Sequence, residues 1–237
     1  MPAVEVKGLK KYYGKKLAVK GIDFNIEKGE IFGLIGPNGA GKTTTLRVLA
    51  TLLQINGGSV KIMDYDLESQ PEKIRQLISY LPEDAGAYKN LTGRKYLNFI
   101  VDFFGKENKE EMITKGIEIA DLADRIDSKV DSYSKGMQRR LLVGRALMID
   151  PKLAILDEPT SGLDVINAQE IRNIIKNAAE ANTTFLISSH NMLEVEYLCN
   201  RVALISKGKI LEVGTPQELK KKYKAENVEE VFTKVVK

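Results

Sequence analysis

Tryptophan is absent from this 237-residue sequence, and histidine and cysteine occur once each. With Cys199 alone, no intramolecular disulfide can form. No apolar run approaches the length of about 18 residues that a spanning helix needs, and no charged-then-apolar leader is recognisable, so the expectation is a cytoplasmic chain. Charge of one sign is also lacking: 36 Lys and Arg against 32 Asp and Glu leave a formal +4. That excess is too small to imply affinity for nucleic acid from charge alone. Low-complexity linkers and solenoid-length repeats are missing as well, which favours one module. What is present, 43% hydrophobic and 29% charged residues, suffices for a globular core.

Strand-like runs occur at "AVEVKGL", "LAVKGIDFNIE" and "EIFGLIG", followed by helical periodicity from Lys42 to about Leu53 and a further strand at "GSVKIM". Residues 93–124 and 135–149 read as helical. Then the apolar runs "LAILD", "TFLISS" and "RVALIS" alternate with helical stretches, as strands of a parallel sheet do. The prediction is an α/β fold with a helical insertion.

The stretch "YSKGMQRRLLVGRAL" predicts a helix whose first turns carry Lys135, Arg139 and Arg140 and no acid. A helix N-terminus is partly positive, so each exposed cation there costs about 0.3–1 kcal/mol, and an external anion would relieve the conflict. Lys135 either faces that anion or extends into solvent. Arg139 and Arg140 are expected on a solvated or subunit-facing side.

"GPNGAGKTT", Gly36 to Thr44, fits GxxxxGK[ST] between a strand and a helix. Its glycines let successive N–H groups wrap a phosphate, Lys42 supplies a cation, and the Thr43 hydroxyl suits Mg2+. In "LAILDEPTSGLD", Asp157 closes an apolar strand and is placed to hold Mg2+. Glu158 points elsewhere and is placed to polarise a water in line with the γ-phosphorus.

In this order the motifs resemble those of the nucleotide-binding subunit of ATP-binding cassette (ABC) transporters along nearly the whole chain. "YYG" is similar to the aromatic loop, "GPNGAGKTT" to Walker A, "YLPED" to the Q-loop, "YSKGM" to the signature, "LAILDEP" to Walker B, "SGLD" to the D-loop and "SSHN" to the switch. The resemblance implies a P-loop NTPase of the ABC ATPase fold, with a RecA-like core, an antiparallel β-subdomain and an inserted helical subdomain. It implies an ATP-binding domain over 1–214 with the insertion at about 84–149, and a helical tail over 215–237.

Site roles follow from the same resemblance. Tyr13 would stack on adenine, with Tyr12 left to pack on the core. Gly36, Pro37, Asn38, Gly39, Ala40, Gly41, Lys42, Thr43 and Thr44 would hold the phosphates of ATP, and Thr43, Asp157 and Glu83 would face Mg2+. Glu158 and His190 would be catalytic. Ser134 and Gly136 would meet the ATP of a second subunit, which supplies the missing anion.

Three positions depart from the common pattern: Lys135 replaces glycine, Met137 replaces glutamine, and Glu83 replaces the Q-loop glutamine. The last resembles the branch serving drug, polysaccharide and sodium exporters. The implied partners are a second ATP-binding subunit, with a homodimer expected, and an integral membrane permease resting near residues 84–104. No nucleic acid is expected. The implied location is peripheral, on the cytoplasmic face of the membrane. Alternatives at this point are an ABC ATPase without a membrane subunit, and a kinase or GTPase built on the same phosphate loop. "KKKYK" at Lys220 to Lys224 reads either as a solvated helix face or as a contact to anionic lipid.

Overall fold

Residues 1–104 and 108–236 are described by the computed structural model of the chain. It opens with the hairpin β1 (Val4–Tyr13) and β2 (Lys16–Ile26), runs through β3 (Ile31–Ile35) into α1 (Lys42–Leu49), and adds β4 (Gly57–Ile62) and β5 (Tyr65–Asp66). After α2 (Pro71–Arg75) and β6 (Ile78–Leu81) come α3 (Gly93–Val101), α4 (Lys109–Ala120) and α5 (Lys135–Leu147). Strands β7 (Leu153–Asp157), β8 (Thr184–Ser189) and β9 (Arg201–Ser206) follow, separated by α6 (Val165–Glu180) and α7 (Met192–Leu198). Strand β10 (Lys209–Gly214) and helices α8 (Pro216–Tyr223) and α9 (Val228–Val236) complete it.

Two sheets result, ordered β2-β1-β4-β5 and β10-β9-β3-β8-β7-β6. The first is antiparallel, whereas in the second β9, β3, β8, β7 and β6 run parallel and only β10 reverses. A parallel sheet covered on both faces needs strands apolar at every position, which is why "LAILD" and "TFLISS" lack alternation. Phe32, Leu34, Ile155, Leu186 and Ile205 pack toward α1 and the antiparallel sheet. Their neighbours Ile31, Ile35, Leu156, Ile187 and Leu204 pack toward the long helices. An antiparallel sheet, a mainly parallel sheet and helices α3 to α5 inserted between β6 and β7 thus match the arrangement expected.

Two helical expectations shorten. Helix α1 ends at Leu49 rather than near Leu53, because Thr51 turns left-handed at φ 61° and Leu52 bonds back to the Arg47 carbonyl. Residues 93–124 are not one helix: α3 stops at Val101, and α4 stops where Asp121 adopts φ 45° and a 3-10 turn, Ala123–Asp127, begins. Part of that range, residues 105–107, lies outside the described residues.

β3 delivers its C-terminus into a tight place. A Cβ on Gly36 would lie 2.0 Å from the Ile205 carbonyl oxygen of β9. Gly36→Ala is therefore expected to force a backbone shift costing about 1–3 kcal/mol, and thermal denaturation should show a fall of about 2–4 °C for each kcal/mol.

Candidate nucleotide-binding site

Between β3 and α1 the chain wraps into a loop whose Gly39 and Gly41 take φ 77° and 110°, the left-handed region that glycine reaches without steric cost. Pro37, Asn38 and Gly39 are exposed along the arch, while Ala40 anchors it in the core. Helix α1 starts on Gly41 with no acid in its first turn, so its N–H groups and dipole remain available to an anion. The Lys42 ammonium, 5% exposed, donates to the Gly36 carbonyl at 2.7 Å and lies 3.3 Å from Glu158 Oε1.

A cavity of about 530 Å3 opens beside this loop. Tyr13, Asn38, Gly39, Gly41, Lys42, Thr43, Thr44, Glu83 and Glu158 line it. Lys16, Leu17, Ala18, Lys20 and Lys207 also line it, and sequence reasoning missed them. The first four lie on β2, brought over by the hairpin at Gly14. Lys207 sits in the β9–β10 turn, where a Cβ on neighbouring Gly208 would meet the Ala18 carbonyl at 2.4 Å. The lysines clustered at 15–16 and 20 were the one available signal. Tyr13 and Tyr12 are both about half exposed, 46% and 42%, so Tyr12 does not pack on the core as expected; its N–H is instead held by Asn56.

Asp157 and Ser188 are register partners at the C-terminal edge of β7 and β8, and the Ser188 hydroxyl donates to Asp157 Oδ1. Burial pushes the Asp157 carboxyl above its ordinary value, against the opposing hydrogen bonds from Ser188 and Thr43. The charges of Glu158 and Glu83 push the same way. Glu158 is left-handed at φ 48°, a conformation that costs a non-glycine residue about 1–3 kcal/mol and clusters at functional sites. Its N–H is fixed by Ser188 Oγ at 3.0 Å, and its Oε2 lies 2.9 Å from His190 Nδ1. The other oxygen, Oε1, is buried and makes no hydrogen bond, with the Lys42 ammonium at 3.3 Å as its charge partner. Glu83 Oε1 accepts from the Ser161 hydroxyl at 3.1 Å.

Among the described residues, no three His, Cys, Asp or Glu side chains converge to hold a metal unaided. The donor set nonetheless fits Mg2+, which binds through one or two carboxylates and completes its shell with phosphate and water. A desolvated carboxylate at Asp157 bonded to the Thr43 hydroxyl, with two further carboxylates near it, is a place where a divalent cation relieves a standing electrostatic cost.

Ser134 and Gly136 do not line the cavity. Ser134 is the exposed N-cap of α5, where its oxygen accepts from Met137 N–H at 3.2 Å, leaving its own hydrogen free to donate. Gly136 is buried against α6, and a Cβ there would lie 1.8 Å from Asn167 Oδ1. The Lys135 ammonium rests over Gly162, 2.2 Å from where a Cβ of that residue would stand. Arg139 corrects the expectation of a solvated side: it is 6% exposed and donates to the Glu83 carbonyl at 2.9 Å. Arg140 pairs with Glu170 at 3.3 Å and with the Asp121 carbonyl.

The raised Asp157 carboxyl has a consequence for stability. Its ionised form weighs against folding above the raised pKa, and that penalty disappears as pH falls below the ordinary carboxylate range. In metal-free buffer Asp157→Asn should therefore melt higher than wild type near about pH 8, with the gap closing toward about pH 4. Calorimetry across that range checks it, and an unchanged gap would contradict the account.

The family model described as ABC transporter matches residues 19–161. Over 218 residues the chain is 37% identical to the linearmycin resistance ATP-binding protein LnrL of Bacillus subtilis strain 168, covering 91% of this chain and 70% of that protein. The daunorubicin/doxorubicin resistance ATP-binding protein DrrA of Streptomyces peucetius is 37% identical over 224 residues, 92% of this chain and 67% of its own length. A solved structure of an ATP-binding subunit of an ABC transporter has a TM-score of 0.87 at 26% identity, covering 99% of this chain and 100% of the other. Motif order, phosphate-loop geometry and these likenesses agree, and the chain belongs to the ABC transporter family as an ATP-binding, ATP-hydrolysing subunit that serves a membrane partner.

Proposed function

We propose that this subunit closes head to tail with a second copy around two Mg-ATP, and that closing and reopening drive a separate permease in export from the cytoplasmic face of the membrane. The observation that carries this reading is the separation of two anion sites on one chain. The α1 phosphate loop lines a cavity, whereas the acid-free start of α5, with the Ser134 hydroxyl and the Gly136 N–H, lies outside it. Two-fold pairing satisfies both at once. Val165 and Ile166, 80% and 73% exposed beside the D-loop, offer apolar surface for that contact.

Within one subunit, Tyr13 stacks on adenine and residues Gly36 to Thr44 hold the phosphates, with Lys42 moving from the Gly36 carbonyl to the outer oxygens. Thr43 and Asp157, with Glu83 alongside, would hold Mg2+, which would neutralise phosphate charge. Glu158 accepts the proton of the attacking water, and its carboxylate is aimed by His190 through the 2.9 Å contact. Because ATP touches both subunits only in the closed pair, it favours closure; reversing a 99 to 1 equilibrium takes about 5.5 kcal/mol of differential affinity. The working unit is the domain over 1–214 with its insertion at 84–149, followed by the tail over 215–237.

A permease contact near residues 84–104 is supported by an exposed aromatic ladder: Tyr88 meets Phe99 at 5.4 Å and Phe99 meets Phe103 at 5.1 Å between ring centroids. Export rests on the relatives, whose names speak of linearmycin and daunorubicin/doxorubicin resistance.

Glu158→Gln should bind ATP yet turn over at least about 100-fold more slowly, and run as a dimer in size exclusion only with ATP. Adding Ser134→Arg should return it to a monomer with nucleotide affinity per subunit intact; a persisting dimer would remove the head-to-tail reading. Captured on tagged Glu158→Gln from solubilised membranes, a polytopic protein supports the permease, and soluble partners alone refute it. His190→Ala should lower kcat by about 10-fold or more while KM for ATP changes less. Equal losses in both would count against its aiming role.

A further inference from the structure

Arg139 belongs to no motif used above, yet its guanidinium is among the most deeply buried charges of the chain. It is 6% exposed, Nη2 donates to the Glu83 carbonyl at 2.9 Å, and Nη1 has no hydrogen-bond partner. Among the described residues it forms no ion pair within 4.0 Å. Burial depresses its pKa, and the negative charge of Glu83 is what opposes that shift. A buried cation resting on one carbonyl is a poor stabiliser, because a well-packed apolar side chain of similar length avoids its desolvation cost. What the guanidinium provides and methionine cannot is a directed N–H at the backbone of Glu83 and a positive charge beside it.

Glu83 is held a second time, by its side chain, through Ser161 Oγ at 3.1 Å. Ser161 and Gly162 belong to the loop after β7, and Gly162 lies under the Lys135 ammonium. One carboxylate residue thus joins the phosphate cavity, the D-loop and the start of α5 within a single chain.

We propose that Arg139 is a positioning residue that locks the loop after β6 to α5, so that Glu83 and the signature end of the helix move as one unit. This rests on the reading that Glu83 faces the nucleotide. Through the lock, a change felt by Glu83 at a subunit's own site is passed to Ser134, which addresses the partner's ATP. The positive charge also offsets the extra negative charge that Glu83 adds beside Asp157 and Glu158.

The test uses full-length wild type, Arg139→Met, Arg139→Lys, Glu83→Gln and the double variant Glu83→Gln/Arg139→Met. In nucleotide-free hydrogen exchange, Arg139→Met should speed exchange across residues 83–90 by about 10-fold, with β7 and β8 unchanged. Its melting temperature should stay at or above that of wild type, and Arg139→Lys, which keeps a donor, should restore part of the protection. In ATP hydrolysis Arg139→Met should lose about 10-fold in kcat with KM changed less than about twofold. Glu83→Gln keeps the backbone carbonyl that Arg139 bonds, so alone it should leave exchange at residues 83–90 near wild type, and the double variant should exchange there as fast as Arg139→Met.

Unaltered exchange at residues 83–90 would overturn the proposal. So would a fall in melting temperature with exchange raised throughout, which marks a packing role, or protection at residues 83–90 restored in the double variant, which marks a charge effect without a lock. A wild-type chain without ATP hydrolysis would instead overturn the functional reading, and the exchange result would then decide the lock by itself.

Discussion

The Glu158 carboxylate, buried between the Lys42 ammonium and the His190 ring, is the contact on which the site depends. The three groups arrive on different elements: Lys42 from the helix after β3, Glu158 from the end of β7, His190 from the end of β8. They meet because those strands are neighbours in one parallel sheet and finish at the same edge. Ser188 completes the arrangement by fixing both Asp157 and the left-handed backbone of Glu158. A carboxylate in a strained conformation, buried and with one oxygen that makes no hydrogen bond, is costly to fold. The same cost makes it responsive to a phosphate, a metal or a water.

Around that contact the helices that face anions begin without acids. Helices α1 and α5 have no acid in the first turn, whereas α8 carries a full capping box from Thr215 and Glu218. The tail is tied to the core near the switch. Lys220 and the Val228 N–H both engage Glu196 of α7, the helix that begins just after His190. Lys222 pairs with Glu212. Two of the tail lysines are thus bound to core carboxylates, which favours a structural use of "KKKYK" over a contact to lipid.

Much of this was legible beforehand. The limits of β7, β8 and β9 coincide with "LAILD", "TFLISS" and "RVALIS", because strands buried on both faces must be continuously apolar. The phosphate loop was legible because its glycines and lysine act through local backbone geometry. Leu52 and Leu53 continued a helical period that Thr51 breaks, a turn that periodicity does not register. Lys16, Lys20 and Lys207 reach the cavity only through strand pairing and the stacking of the two sheets.

By itself the sequence determined the chemistry: which residues can bind phosphate, hold a metal or activate water, since those depend on residue type and short spacing. Tertiary structure alone decided how these groups are joined. Glu158 and His190 are 32 positions apart and touch because β7 pairs with β8. Arg139 looked solvated in a charged stretch, and became a buried strut for Glu83 once α5 packed over the end of β6. Burial and long-range contact are properties of the packed chain, and no local pattern encodes them.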